Sequence, residues 1–223
     1  MAAGPEAQGH DNPADRPADG HPQPAAANGP SNEAAPPAGP TWTNQLASLA
    51  LWLLVALLLR WLVVEPRWIP SGSMLPTLQL QDRILVEKIR PRLHAALPPG
   101  TVVVFHPPAA LVEAGYDHAA ALIKRVVAGP GDRVEVSQGH LLVNGTPLEP
   151  DWSPVTMTYD FGPLTVPAEH LLVLGDNRNA SLDSHLWGPL PRQEVIGTAI
   201  WRYWPLSRFG PIRFSPSLPP GGA

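Results

Sequence analysis

The sequence contains no cysteine, which excludes disulfides and thiolate-held metals and leaves an oxygen or a lysine as the only available nucleophile. A cysteine-free chain can also work in an oxidising compartment without mispairing. There is no basic surplus: 15 Lys+Arg stand against 19 Asp+Glu, a net charge of −4 that argues against a nucleic-acid binder. No His-Glu-x-x-His zinc motif and no Gly-x-Ser-x-Gly elbow occurs, so neither a metalloprotease nor an α/β-hydrolase is indicated. Residues 1–40 have almost no large apolar side chain and cannot offset the entropy of ordering, so they read as a disordered tail. Glu6, Asp11, Asp15, Asp19 and Glu33 there face only Arg16, and carry about the whole net charge.

What is present begins with an apolar run over 46–64, interrupted only by Arg60. At about 1.5 Å per residue its helix would cross the roughly 30 Å core of a bilayer. Arg60 sits near one end, where its stem can reach the headgroups, and Trp42, Trp61 and Trp68 bracket the run as interfacial aromatics do. Glu65-Pro66 ends it. A cleaved secretory leader would be shorter, with a basic start, and a buried core helix would show a polar face. The segment 42–65 therefore reads as a single transmembrane helix. Charge does not orient it: acids precede it, and Arg67 and Arg83 follow.

Residues 66–214 carry β signals. Alternating or β-branched runs occupy 83–89, 101–105, 122–127, 133–136, 140–143, 146–148, 170–174 and 195–204, separated by Pro/Gly-rich connections. Asn144-Gly145 predicts a type I′ hairpin turn. With no long amphipathic helix after the anchor and no internal repeat, the expected fold is mainly β, a folded antiparallel sheet or barrel-like domain. Residues 215–223 read as a loose tail.

The loop Ile69-Pro70-Ser71-Gly72-Ser73-Met74-Leu75-Pro76-Thr77-Leu78 lies between the anchor and the first strand. Pro70 and Pro76 forbid a helix interior, and Gly72 is expected to permit a sharp turn between two hydroxyls. Ser73 is a candidate nucleophile. None of the eight histidines has the setting of a triad arm. Lys124, in the run Leu122-Ile123-Lys124-Arg125-Val126-Val127, is the candidate base. Neighbours on a strand face opposite ways, so with one face buried, one of Lys124 and Arg125 should point inward. Burial lowers a lysine pKa until the neutral amine can take a serine proton, which arginine cannot do. The polar stretch 175–188 directly follows the apolar run 170–174. Arg178 stands where a calcium loop needs an oxygen ligand, and no Glu stands at the twelfth position, so bracing of a catalytic group is the better reading.

Four stretches together, in this order after an anchor, resemble the type I signal peptidases, serine proteases that remove signal peptides. They are Pro-Ser-Gly-Ser-Met-Leu-Pro-Thr-Leu at 70–78, Asp-Arg-Ile-Leu-Val-Glu-Lys at 82–88, Lys-Arg-Val-Val-Ala-Gly-Pro-Gly-Asp at 124–132 and Gly-Asp-Asn-Arg-Asn-Ala-Ser-Leu-Asp-Ser-His at 175–185. The resemblance covers about 45–206. Asp-Ser-His-x-Trp-Gly-Pro-Leu and Trp-Arg-Tyr-Trp-Pro at 201–205 look most like the cyanobacterial and plastid thylakoid branch. It implies Ser73 as nucleophile and Lys124 as general base, with Ser71 and the Ser73 N–H forming the oxyanion hole. Ser181 would orient the lysine and Asp183 would support that region. Ile69, Pro70, Leu78, Ile84, Leu122 and Ile123 would line pockets for small side chains of an extended substrate. No cofactor, metal or nucleic acid is implied. The implied partners are preprotein signal peptides, the bilayer and the secretion translocon. The implied placement is a single pass in a plasma or thylakoid membrane, N-terminus cytoplasmic, catalytic domain periplasmic or lumenal. Two departures stand out: His185 where many members have arginine, and Gln81 where glycine is common. Self-cleaving repressors share serine–lysine chemistry but carry a DNA-binding domain, and penicillin-binding enzymes need Ser-x-x-Lys. The remaining alternative is a non-catalytic membrane-anchored β domain acting as an assembly or binding factor.

Overall fold

The computed structural model describes residues 42–148 and 155–212. The tail expected to be disordered, 1–41, and the C-terminal tail, 215–223, lie outside the described residues. Helix α1 (Trp42–Leu62) is followed by β1 (Val64–Trp68), β2 (Arg83–Glu87), α2 (Ile89–Arg92), β3 (Val102–Phe105), α3 (Ala109–Glu113) and β4 (Leu122–Ala128). Then come β5 (Arg133–Ser137), β6 (His140–Val143), β7 (Thr146–Pro147), β8 (Phe161–Thr165) and β9 (His170–Leu174). The chain ends with α4 (Ser184–Trp187), β10 (Leu190–Pro191), β11 (Val195–Trp204) and β12 (Gly210–Pro211).

α1 is apolar on every side, and no residue of its window Trp42–Arg60 is buried against the rest of the chain. It stops at Leu62, earlier than the Glu65-Pro66 end read from the sequence. Pro66 cannot continue a helix, and β1 can hold it because β1 is an edge strand paired only with β2, where a missing donor is tolerated.

The fold is mainly β, and all strand pairs are antiparallel. One sheet has the order β1-β2-β11-β3-β4-β9-β10, with β12 beside β11; a smaller one has the order β7-β6-β5-β8. The ten-residue β11 serves β2, β3 and β12, with register shifts that bend it. Asn144 and Gly145 have φ of 53° and 78°, the type I′ signature, and join β6 to β7. Strands β1, β8, β10 and β12 carry no clear signal in the sequence. β8 contains Gly162-Pro163 and survives as an edge paired only with β5.

The core explains why some runs lack alternation. Val102 and Val104 of β3 pack with Ile69, Met74, Leu78, Ile84 and Val86. Val103 and Phe105 face the other way, toward Leu97, Val126, Leu171, Val173 and Leu190. A third cluster joins Val134, Val136, Leu141 and Val143 to Leu172 and Leu174 of β9. β4, between β3 and β9, is likewise buried on both faces. The expectation that only one of Lys124 and Arg125 points inward is therefore corrected: they are 4% and 0% exposed.

Candidate active site

The site grows from the loop before β2. Met74 and Leu78 are fully buried and pin the loop to the core. Leu75 N donates to Gly72 O (3.1 Å) and Leu78 N to Met74 O (2.9 Å), so the segment is a string of turns rather than a helix. The chain bends at Gly72 as expected, without a positive φ; a Cβ there would lie 3.1 Å from Leu75 Cδ1. At the loop's end Gln81 does adopt φ of 65°, the left-handed region where glycine is least costly. The buried Asp82 accepts from Gln79 N (2.9 Å) and pairs with Arg208, fastening the loop to the turn after β11.

Lys124 Nζ donates to Ser73 Oγ at 2.9 Å and to Ile123 O at 3.0 Å. No carboxylate is in ion-pair contact with it among the described residues. Burial lowers its pKa from 10.5 to about 8, against a weaker upward pull from Asp183 and then Asp176. Ser71 Oγ lies 3.4 Å from Ser73 Oγ. The dyad and the second serine thus converge on one point from β4 and one loop.

The polar stretch after β9 buttresses this point. Asn177 N donates to Ser73 O (3.0 Å) and Asn177 Nδ2 to Gly72 O (3.1 Å), gripping the loop from behind. Gly175 permits this approach: a Cβ on it would lie 2.5 Å from Ser73 O and 2.2 Å from Ser181 Oγ. Ser181 is buried there, and its Oγ makes no hydrogen bond among the described residues, to Lys124 or otherwise. Asp183, fully buried, accepts from Gly175 N (2.8 Å), and its Oδ1 is 2.6 Å from His185 Nδ1. Tyr159 stacks on the His185 ring at 4.0 Å. Burial first, then Asp183, pushes the Tyr159 phenol up to about 12, with Arg178 opposing. Behind the dyad, Arg125 makes a two-pronged pair with Asp176 (Nε–Oδ1 2.8 Å, Nη2–Oδ2 2.7 Å) and donates to Gly100 O (2.7 Å). Neither Asn177, Gly175, Asp176 nor Tyr159 was singled out from the sequence. The first three were within the stretch marked as a brace, whereas Tyr159 has no local signal.

A cleft of about 190 Å³ adjoins the site, lined by Ile69, Pro70, Ile84, Leu122 and Ile123, five of the six expected pocket residues. Leu78 is not among them. It is fully buried in the core beside Met74 and Ile84, which corrects its assignment. β9 pairs with β4 only from Arg125 onward, so the main chain at 122–124 keeps one edge outside the ladder.

The family model described as signal peptidase, peptidase S26, matches residues 42–204. Signal peptidase I of Leptolyngbya laminosa is 46% identical, over 77% of this chain and 84% of that protein. Probable signal peptidase I-1 of Synechocystis is 48% identical, over 74% and 83%. Probable thylakoidal processing peptidase 2 of Arabidopsis thaliana is 42% identical over 78% of this chain, which spans 49% of that longer protein.

Proposed function

The chain belongs to the signal peptidase family, peptidase S26, and we propose that it removes N-terminal signal peptides from exported preproteins with Ser73 as nucleophile and Lys124 as general base. The observation that carries this is the 2.9 Å contact between Lys124 Nζ and Ser73 Oγ on a lysine whose pKa is lowered to about 8. Near that pH a substantial fraction of the amine is neutral and can take the serine proton as Oγ attacks the scissile carbonyl. The Ser71 hydroxyl and the Ser73 N–H stabilise the oxyanion, each worth on the order of 10²–10³ in rate. Lys124 then returns the proton to the leaving amine and activates the water that hydrolyses the acyl-enzyme. Asn177 holds the loop in place, and Asp183 fastens the segment from Gly175 to His185 behind it.

The extended substrate adds as a strand along 122–124, and its small side chains enter the cleft beside Ile69, Pro70, Ile84, Leu122 and Ile123. α1 anchors the protein as a single pass in the membrane, N-terminus cytoplasmic, with the catalytic domain on the periplasmic or lumenal face. Ser73 follows Leu62 closely, so the bond to be cut is presented near the bilayer surface, beside the translocon that delivers it.

The test is cleavage of a preprotein by the full chain in detergent. Ser73→Ala and Lys124→Ala each abolish cleavage while melting as a folded protein. Undiminished cleavage by Ser73→Ala rejects the nucleophile. Protease protection on membranes checks the sidedness: a catalytic domain accessible from the cytoplasmic face overturns it.

A further inference from the structure

Where α1 gives way to the sheet, a larger cleft of about 920 Å³ opens, more polar than the small cleft with which it shares Arg67. Arg67, Lys88, Arg92 and Arg192 line it, against Glu65 and Glu169. His94, His106 and His170 complete its polar lining. Glu65 is shared between Arg67 (2.6 Å) and Lys88 (3.3 Å), which leaves positive charge in excess. Arg67 Nε and Arg192 Nε are buried without a hydrogen-bond partner among the described residues. These two nitrogens are shielded, but the charged guanidiniums that carry them line the cleft, where an oxygen-rich anion would meet them with charge-assisted hydrogen bonds.

The position of the cleft identifies the anion's source. Arg92 Nη1 donates to the carbonyl of Leu62, the last residue of α1, at 2.7 Å. Lys88 N donates to Val63 O at 2.9 Å. The rim is therefore tied to the end of the membrane helix, at the depth of lipid headgroups. We propose that this cleft binds the phosphate of an anionic lipid from the leaflet in which α1 ends. The inference rests on α1 being the membrane anchor. A headgroup held there by guanidinium forks would fix how far the sheet, and with it the site, stands from the surface.

The experiment uses the full-length chain in a neutral detergent, titrated with phosphatidylglycerol or phosphatidylcholine and read by native mass spectrometry. Phosphatidylglycerol is expected to bind at least about tenfold more tightly, and Arg92→Gln/Arg192→Gln to remove that preference. The glutamines keep a polar side chain at each place while removing the charge and the bonds to the carbonyls of Leu62 and Ala95. Should the double variant not fold, Arg192→Gln alone is expected to weaken binding about threefold or more; cleavage of a soluble peptide reports folding. Equal binding of the two lipids, or an unchanged preference in the folded variant, overturns the proposal. Full competition by millimolar inorganic phosphate also overturns it, since the site would then serve a soluble anion. Flotation with pure phosphatidylcholine vesicles reads the anchor separately. A chain that floats yet shows no lipid preference disproves the cleft alone, while one that does not float disproves the membrane reading.

Discussion

Strand β4 carries two adjacent cations, one on each face, and they are treated in opposite ways. Arg125 is fully buried, but Asp176 meets it with two hydrogen bonds and Gly100 O with a third. Lys124 is buried almost as completely, yet the described residues offer it only a hydroxyl and a carbonyl. Charge on Arg125 is compensated where it stands, and a guanidinium would keep it in any case. Charge on Lys124 is left uncompensated, so burial pushes its pKa down to about 8. The difference teaches what separates a structural cation from the proposed proton acceptor: not burial, which both share, but whether a carboxylate is within contact. Asp183 and Asp176 sit close enough to raise the Lys124 pKa somewhat, and they are diverted to other partners, Gly175 N with His185 in one case and Arg125 in the other.

Removing the asymmetry should have the largest effect. Lys124→Arg keeps the charge but cannot release a proton, and is expected to lower kcat by at least about 10³, as should Ser73→Ala, measured by preprotein cleavage. Gly175→Ala comes next: its methyl would collide with Ser73 O and Ser181, and moving the nucleophile by even part of an ångström should cost roughly 10²-fold in kcat.

The other face should show its effect in stability. Arg125→Met removes the two-pronged pair from the buried Asp176 and is expected to lose on the order of 3–5 kcal/mol in denaturant unfolding. Lys124→Met should do the reverse at neutral pH, gaining roughly 1–3 kcal/mol, because the buried ammonium is disfavoured. Below pH 8 both folded and unfolded chains hold that proton and the penalty is complete. Between about 8 and 10.5 the folded chain has released it and the unfolded chain has not, so stability of the native sequence climbs with pH. Lys124→Met should show no such climb. Below that range, kcat/KM should fall about tenfold for each unit under pH 8, as the base becomes protonated. A profile flat from pH 6 to 10 would contradict the lowered pKa. The smallest change is expected at Gln81→Gly, which relieves a left-handed φ and should alter stability by no more than about 1 kcal/mol, upward.

The serine, the lysine and the polar stretch were legible because each is a local conflict. Two prolines around Ser-Gly-Ser cannot be a helix, a lysine in an apolar run has to be buried or compensated, and a dense polar segment after a strand exceeds the needs of a turn. Leu78 misled because apolar character alone does not separate a pocket wall from a core.

The residue pattern on its own determined the apolar helix, the mainly β class and most of the strands, since periodicity and turn chemistry are short-range properties of the chain. It also determined which side chains could carry the reaction, because only some residue types can donate, accept or attack. Tertiary structure decided the rest. Edge strands such as β1 and β8 exist because a neighbour offers an unpaired ladder, which no local rule foresees. Asn177 reaches Ser73 across more than a hundred residues of chain, and Asp176 chooses Arg125 over Lys124, because folding sets which groups meet at hydrogen-bond distance. A lysine becomes a base only when its surroundings withhold a counter-charge, and that is a property of what lies around it.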